Sequence, residues 1–416
     1  MDAFKETSPS LRRRSLLAAF GAVPLVAGAA SAAPARIPPD TRPGGAYDRY
    51  VAGLAAEGKF SGVVLLSHRG RTVLSRSYGL ADRQRGIRNH EGTAFSLSSA
   101  GKPFGPVAVL QLAQQGRLQL NDPVGKHLTG FAPEIAEQVT VHHLLSGASG
   151  LDSPPEDVGH VFQSRDEVRE FYGQRARQAK LVGVPGLPST THEEAGVTIP
   201  ALIVEAVTGQ TYWDYVRENI FERCGMTGSG FYTRPQWLTD RHVAHPYMRL
   251  ADGSVVDAVR NLDQGSPRPE VEGKNPGRAF IDAPGDGGFL TAPDLVRFAH
   301  GLRNGTLLAR PYADLLLGAK FPHWKGKPGQ TPPPPDAPEG FGTYGPTATI
   351  MKGQWVIDRA GGNAGSGANW TIYPDTGWVG VILSNYDGDM PLQEIAQQEN
   401  QAVTGQPAPS DGRTGG

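Results

Sequence analysis

Cysteine is nearly missing from this 416-residue chain, with Cys224 the single one. That excludes an intramolecular disulfide and a thiolate metal cluster. An excess of either charge is missing as well: 40 Lys and Arg stand against 41 Asp and Glu, a formal net charge of −1. Nothing therefore points to nucleic acid or to an anionic membrane surface as partner. The eleven histidines show no His-x-x-x-His spacing, so no zinc site is expected. The glycines around Gly361 follow no phosphate-loop pattern, and no cofactor is expected. Long apolar runs are also scarce. Residues 16–30 form one, but it is rich in Gly and Ala and shorter than the ~20 residues a spanning helix needs.

That run has another reading. It follows Arg12-Arg13-Arg14-Ser15-Leu16-Leu17 and leads to Ala30-Ser31-Ala32, a small-x-small cleavage pattern. Basic residues, an apolar stretch and a small-residue site in this order form a twin-arginine export signal over residues 1–32. The expected location is periplasmic or extracellular, with no membrane span once the signal is removed.

Glycine and proline are plentiful, at 54 and 35, and they punctuate the rest of the chain. Residues 33–45 read as linker and 46–403 as one domain; 404–416 read as a disordered tail. A helix is expected over 47–56. The apolar run 62–67, a turn at His68-Arg69-Gly70-Arg71 and the alternating stretch 72–78 form a hairpin. Helical patterns follow at 107–116, 139–145, 199–207, 213–221 and 292–302. Strand-like runs return at 347–351, 354–358, 368–373 and 378–384. Short turns imply antiparallel pairing, so the strands of both ends can share one sheet. The fold class is α+β: an antiparallel sheet from about 60–80 and 343–386, flanked by helices, beside a mainly helical lobe at about 105–310. The polar segments 150–166 and 255–283 are long loops, and loops of that length border sites. The tract Pro332-Pro333-Pro334-Pro335 reads as a spacer. Cys224, among Ile220, Phe221 and Met226, reads as a buried structural thiol.

The chemistry is carried by Ser99 and Lys102, inside Phe95-Ser96-Leu97-Ser98-Ser99-Ala100-Gly101-Lys102-Pro103-Phe104. A helix begun at Ser99 brings the two side chains onto one face, with Cβ atoms roughly 5–6 Å apart. A serine hydroxyl becomes a useful nucleophile when a neighbour takes its proton, and an amine can do so. Pro103, Gly105 and Pro106 make the helix irregular just behind Lys102.

From Tyr47 to Tyr386 the chain resembles the serine β-lactamase and penicillin-binding-protein superfamily, in its class C, D-aminopeptidase and esterase branch. The Ser99 stretch resembles that branch's Phe-x-Ile-Gly-Ser-x-Ser/Thr-Lys-x-Phe. Leu118-Gln119-Leu120-Asn121-Asp122-Pro123-Val124, residues 139–151, Val204-Glu205-Ala206-Val207-Thr208-Gly209 and Gly287-Gly288-Phe289-Leu290-Thr291-Ala292 resemble its further motifs, in order. The resemblance implies a Ser-x-x-Lys enzyme with two partner motifs. Both depart here. The Tyr-x-Asn position holds His192-Glu193-Glu194, and the Lys-Thr-Gly or His-x-Gly position holds Arg359-Ala360-Gly361. Carried over, His192 moves protons with Lys102. Glu194, Arg359 and Gly361 face substrate, Arg359 gripping an acidic group and Glu194 suiting an amine-bearing acceptor. The N–H groups of Ser99 and Gly362 form the oxyanion hole. His142 and His143 stand where the branch has Arg-His and read as packed structure. The implied function is an exported serine hydrolase acting on an ester or amide through an acyl-enzyme, an esterase ahead of a β-lactamase. Acyl transfer to an amine or alcohol is the near alternative. A catalytically weak binding protein on the same scaffold is the rival from another class.

Overall fold

The computed structural model describes residues 37–188, 194–322, 339–386 and 391–405. The stretch expected to be an export signal, His192, Glu193, the proline tract and most of the expected tail lie outside them. Residues 37–405 belong to one compact unit.

Its centre is an eight-stranded antiparallel sheet. We number its strands β1 (Gly62–His68), β2 (Arg71–Tyr78), β3 (Phe321–Pro322), β4 (Glu339–Gly342), β5 (Thr347–Met351), β6 (Gln354–Asn363), β7 (Ser366–Tyr373) and β8 (Trp378–Ser384). The spatial order is β3-β4-β5-β6-β7-β8-β1-β2. The two ends of the chain meet where β1 pairs with β8, Val64 opposite Ile382. The run Val63-Val64-Leu65-Leu66 is apolar without alternation because both faces of β1 are covered. Val63 and Leu65 join the large core under the helical lobe. Val64 and Leu66 join a second core with Tyr47, Val51 and Ile395. That second layer is built by α1 (Ala46–Ala56) and the C-terminal helix.

The expected linker is not wholly free: Pro39–Thr41 forms a 3₁₀ turn with Thr41 buried. The hairpin, the helices at 139–145 and 292–302 and the late strands lie where the sequence placed them. Thr140 caps the short helix Val141–Leu145 in a capping box with His143. His142 Nδ1 lies 2.5 Å from the Tyr344 hydroxyl, so this histidine pair is packed structure. Cys224, expected to be buried, is half-buried, and burial pushes its thiol up to about 11, away from the reactive thiolate form.

Three helices carry the site. These are α2 (Phe104–Gln114), α3 (Arg165–Arg177) and α4 (Glu194–Thr208). The sequence reading has no counterpart to α3. Its apolar residues are few, and Ser164 starts it by accepting the Glu167 N–H.

Candidate active site

Ser99 does not open an α-helix. Residues Ser98–Gly101 form a 3₁₀ turn, and α2 starts only at Phe104. In a 3₁₀ turn residues i and i+3 eclipse each other, so Ser99 and Lys102 still share one line. Pro106 sits in the first turn of α2, where an absent N–H leaves no intrahelical bond unmade.

The turn is held on two sides. On one, Leu97 N–H donates to the Gly288 carbonyl at 2.9 Å and Ser96 pairs with Phe289. On the other lies β6. Glycines allow both approaches. A Cβ on Gly101 would come within 1.8 Å of the Gly287 carbonyl oxygen, and one on Gly361 within 2.3 Å of Ala100 N. Three hydrogen bonds tie the turn to β6 and β7, one from each of three consecutive residues. Ser98 Oγ donates to the Gly362 carbonyl at 3.0 Å. Arg359 Nε donates to the Ser99 carbonyl at 2.9 Å. Trp370 Nε1 donates to the Ala100 carbonyl at 2.9 Å. Arg359 and Trp370 are cross-strand partners. Ser98 stands where the resembling motif has glycine, and its φ of 48° shows why. An L-residue in that region carries a strain of about 1–2 kcal/mol.

Ser98, Ser99, Lys102, Gly362 and Asn363 line a cavity of about 410 Å³. Its rim comes from the long loops 150–166 and 255–283, as the loop lengths anticipate. Lys102 Nζ lies 3.7 Å from Asp286 Oδ2, and Asp286 Oδ1 accepts the Gly287 N–H at 2.8 Å. Asp282 lies beneath. Burial, helped by the nearby Asp286 charge and opposed by the Gly288 N–H, pushes its carboxyl up to about 7.

Glu194 opens α4 and lines the cavity, but not as a free anchor. Its Oε2 accepts from Arg175 of α3 at 2.8 Å, and Arg175 also donates to the Pro154 carbonyl. Burial works to raise Glu194, yet the Arg175 hydrogen bond and charge, with Lys102 and Lys274 further off, hold it below the ordinary carboxylate range. Beside it the Tyr172 hydroxyl donates to Glu156 Oε1 at 2.6 Å, and Lys274 pairs with Glu156 Oε2 at 3.3 Å.

Two expectations need correction. Arg359 was expected to grip a substrate carboxylate. Its guanidinium instead reaches under the Ser98–Gly101 turn, with Nη1 donating to the Gly345 carbonyl at 3.0 Å besides the bond to Ser99. Burial lowers its pKa, with Asp286 and Asp358 acting to raise it. Gly361 was expected to meet substrate. It backs the turn, because only a residue without Cβ lets β6 approach so closely. Ser99, Lys102, Glu194 and Gly362 do come together at one cavity. Asp286, Arg175, Tyr172 and Lys274 were missed; only the Gly-Asp-Gly-Gly context of Asp286 offered a sequence signal. Among the described residues, no group of three or more His, Cys, Asp or Glu side chains could hold a metal ion. None of the described helices is long and apolar enough to cross a membrane.

A serine and a lysine one 3₁₀ turn apart, between an antiparallel sheet and a helical lobe, define the class of Ser-x-x-Lys acyl-enzyme folds. The β-lactamase family pattern matches residues 47–404, and the chain belongs to that family. It is 29% identical to Esterase EstB of Burkholderia gladioli over 337 residues, which covers 72% of this chain and 82% of the esterase. It is 30% identical to PbpX of Bacillus subtilis, named as a penicillin-binding protein, over 206 residues, 49% of each chain. The chain thus spans about half the length of that relative. Among solved structures, "EstCE1, a hydrolase with promiscuous acyltransferase activity" superposes with a TM-score of 0.66 at 23% identity, over 86% of this chain and 98% of the other. A penicillin-binding protein from Bacillus halodurans gives 0.66 at 23%, over 84% and 98%. At these identities the structures share the fold alone.

Proposed function

We propose that this chain is an exported serine hydrolase that cleaves esters lacking a carboxylate next to the scissile bond. The observation that carries the reading is Arg359. The cation of the third motif is engaged with two backbone carbonyls, so β6 offers no guanidinium fork for a substrate carboxylate. Ser99 and Lys102 still open on the cavity. The similarity to Esterase EstB over most of both chains supports the same choice.

Ser99 Oγ attacks the ester carbonyl carbon and its proton passes to a base. The N–H groups of Ser99 and Gly362 receive the oxyanion. The carbon–oxygen bond to the alcohol breaks, and the alcohol leaves with a proton. Water then attacks the acyl-enzyme and releases the acid. Lys102 Nζ faces Asp286 Oδ2 at 3.7 Å. That arrangement favours His192 as the group that carries the proton, with Lys102 steadying charge.

The test is intact mass after incubation with a fluorophosphonate, a penicillin and short-chain nitrophenyl esters, for the wild type, Ser99→Ala and His192→Ala. The expected outcome is a phosphonate adduct absent from Ser99→Ala, ester turnover slowed in both variants, and little penicillin adduct. Rapid penicillin acylation without ester turnover would overturn the ester reading. An absence of adduct and turnover in the wild type would favour the binding-protein reading.

A further inference from the structure

We propose that Ser98 is a positioning residue for the oxyanion hole, a latch that sets the Gly362 amide against the nucleophile turn. The inference rests on Ser99 being the nucleophile.

Three non-glycine residues among those described have positive φ: Arg69, Ser98 and Lys352. Arg69 and Lys352 are explained by where they sit. Each is followed by glycine in a two-residue hairpin, Arg69-Gly70 between β1 and β2 and Lys352-Gly353 between β5 and β6. Such hairpins demand positive φ at their central residues. Ser98 sits in no hairpin. It precedes the nucleophile, in a place where glycine would carry no strain. A serine held there has to be doing something that glycine cannot.

The side chain shows what that is. Ser98 Oγ donates to the Gly362 carbonyl at 3.0 Å, across a sequence gap of 264 residues. The receiving strand needs such a tie for two reasons. First, β5 stops pairing with β6 at Asp358, opposite Thr347. From Arg359 to Asn363, β6 has a ladder to β7 alone. Its other edge faces the nucleophile turn instead of a strand. Second, the segment there is Gly361-Gly362, the softest backbone a chain can place. Gly361 is fixed by contact, since it abuts Ala100 N, the Leu97 carbonyl and Ser99 N. Gly362 has no such anchor; a Cβ built on it would meet nothing closer than the Ser366 carbonyl oxygen at 3.4 Å. The carbonyl that Ser98 holds and the N–H that would meet the oxyanion flank the same Gly362 Cα. Fixing one restrains the other. Ser98 therefore trades local strain for alignment of an oxyanion donor, and such alignment matters because donors must already point at the position where charge develops.

The test uses two variants that remove the same hydroxyl and treat the strain oppositely. Ser98→Gly relieves the positive φ. Ser98→Ala keeps it. Each is measured for fluorophosphonate labelling, for kcat and KM on a nitrophenyl ester, and for its urea unfolding midpoint. Expected is a kcat lowered roughly tenfold in both, less than the hundredfold or more for removing such a donor outright, with KM changed by less than about twofold. The midpoints diverge: Ser98→Gly unfolds at or above the wild-type urea concentration and Ser98→Ala below it. A merely structural serine would make activity follow stability. Wild-type turnover with an unchanged kcat in Ser98→Gly would overturn the latch and leave the hydrolase reading standing. So would a kcat loss confined to the less stable variant. A wild type that neither labels nor turns over would sink both.

Discussion

Arg359→Ala separates the two roles a cation on β6 can have. In the structure Arg359 donates to the Ser99 and Gly345 carbonyls at 2.9 and 3.0 Å. Hydrogen bonds from a charged donor contribute about 1.5–3 kcal/mol each, so two bound the loss at about 3–6 kcal/mol. Removing a desolvated charge returns part of that, and water can reach one of the freed carbonyls. A net destabilisation of about 3 kcal/mol is expected. The Ser99 carbonyl closes the turn by accepting the Lys102 N–H at 3.3 Å, so loosening it also lowers kcat, by roughly tenfold on the scale of misplaced catalytic groups. The assay is urea unfolding together with kcat and KM for two nitrophenyl esters, one neutral and one bearing a carboxylate. The ratio of their KM values is expected to stay within about twofold of wild type, because uniform binding of the acid is not what Arg359 supplies. An unchanged unfolding midpoint with a KM rise confined to the acidic ester would refute the argument and restore Arg359 to the substrate.

Two further perturbations test the scaffold. Glu399 of the C-terminal helix is buried against β7 and β8, where a Cβ on Gly380 would overlap its carboxylate at 2.0 Å. Burial, with Asp358 adding to it and the Tyr373 and Thr371 hydrogen bonds opposing, pushes it up to about 8. A carboxyl that is neutral when folded and ionises near 4.5 when unfolded stabilises the fold fully below that value. It loses the contribution as pH rises towards 8. Glu399→Gln should therefore gain on the wild type by up to about 1.4 kcal/mol per pH unit across this window, read from unfolding midpoints at pH 5, 6.5 and 8; parallel curves would refute it. Gly361→Ala forces a Cβ to 2.3 Å from Ala100 N, and overpacking of this kind costs about 1–3 kcal/mol. Ester turnover should fall at least a hundredfold, and a variant with normal turnover would show that β6 does not brace the nucleophile turn.

The sequence carried the sheet well, because β1 and β8 are unbroken apolar runs and their turns are short. It also picked out Ser99, Lys102 and Gly362, which the fold brings to one cavity, since each lies in a contiguous motif. It could not carry directions. Arg359 occupies the position of the third motif's cation, and from that position alone it was expected to face the ligand. Whether a long side chain points into the cleft or back under the turn depends on Gly345, which lies 14 residues away on another segment. Glu194 illustrates the same limit. Its partner Arg175 belongs to α3, a charged helix that hydrophobic periodicity does not reveal. Tyr172 shares that helix and lines the cavity, so this part of the polar wall came from an element the sequence left unread. Asp286 reaches Lys102 only because the chain folds back at Gly287 and Gly288. Local spacing cannot anticipate that contact.

Three ion pairs at the cavity bear on what the site accepts. Lys102 faces Asp286, Lys274 pairs with Glu156, and Arg175 pairs with Glu194. A substrate carboxylate would have to draw one of these cations away from its partner. A neutral ester disturbs none of the pairs. The aromatic part of the lining presents Tyr232, which packs on the buried Phe289 ring with centroids 5.6 Å apart, while Trp237 stands edge-on to the same ring at 4.7 Å. Rigid rings supply apolar area at little entropic cost. The engagement of Arg359 with two backbone carbonyls thus supports the proposed neutral-ester reading, while Asp157 and Glu270 add negative charge to the same lining.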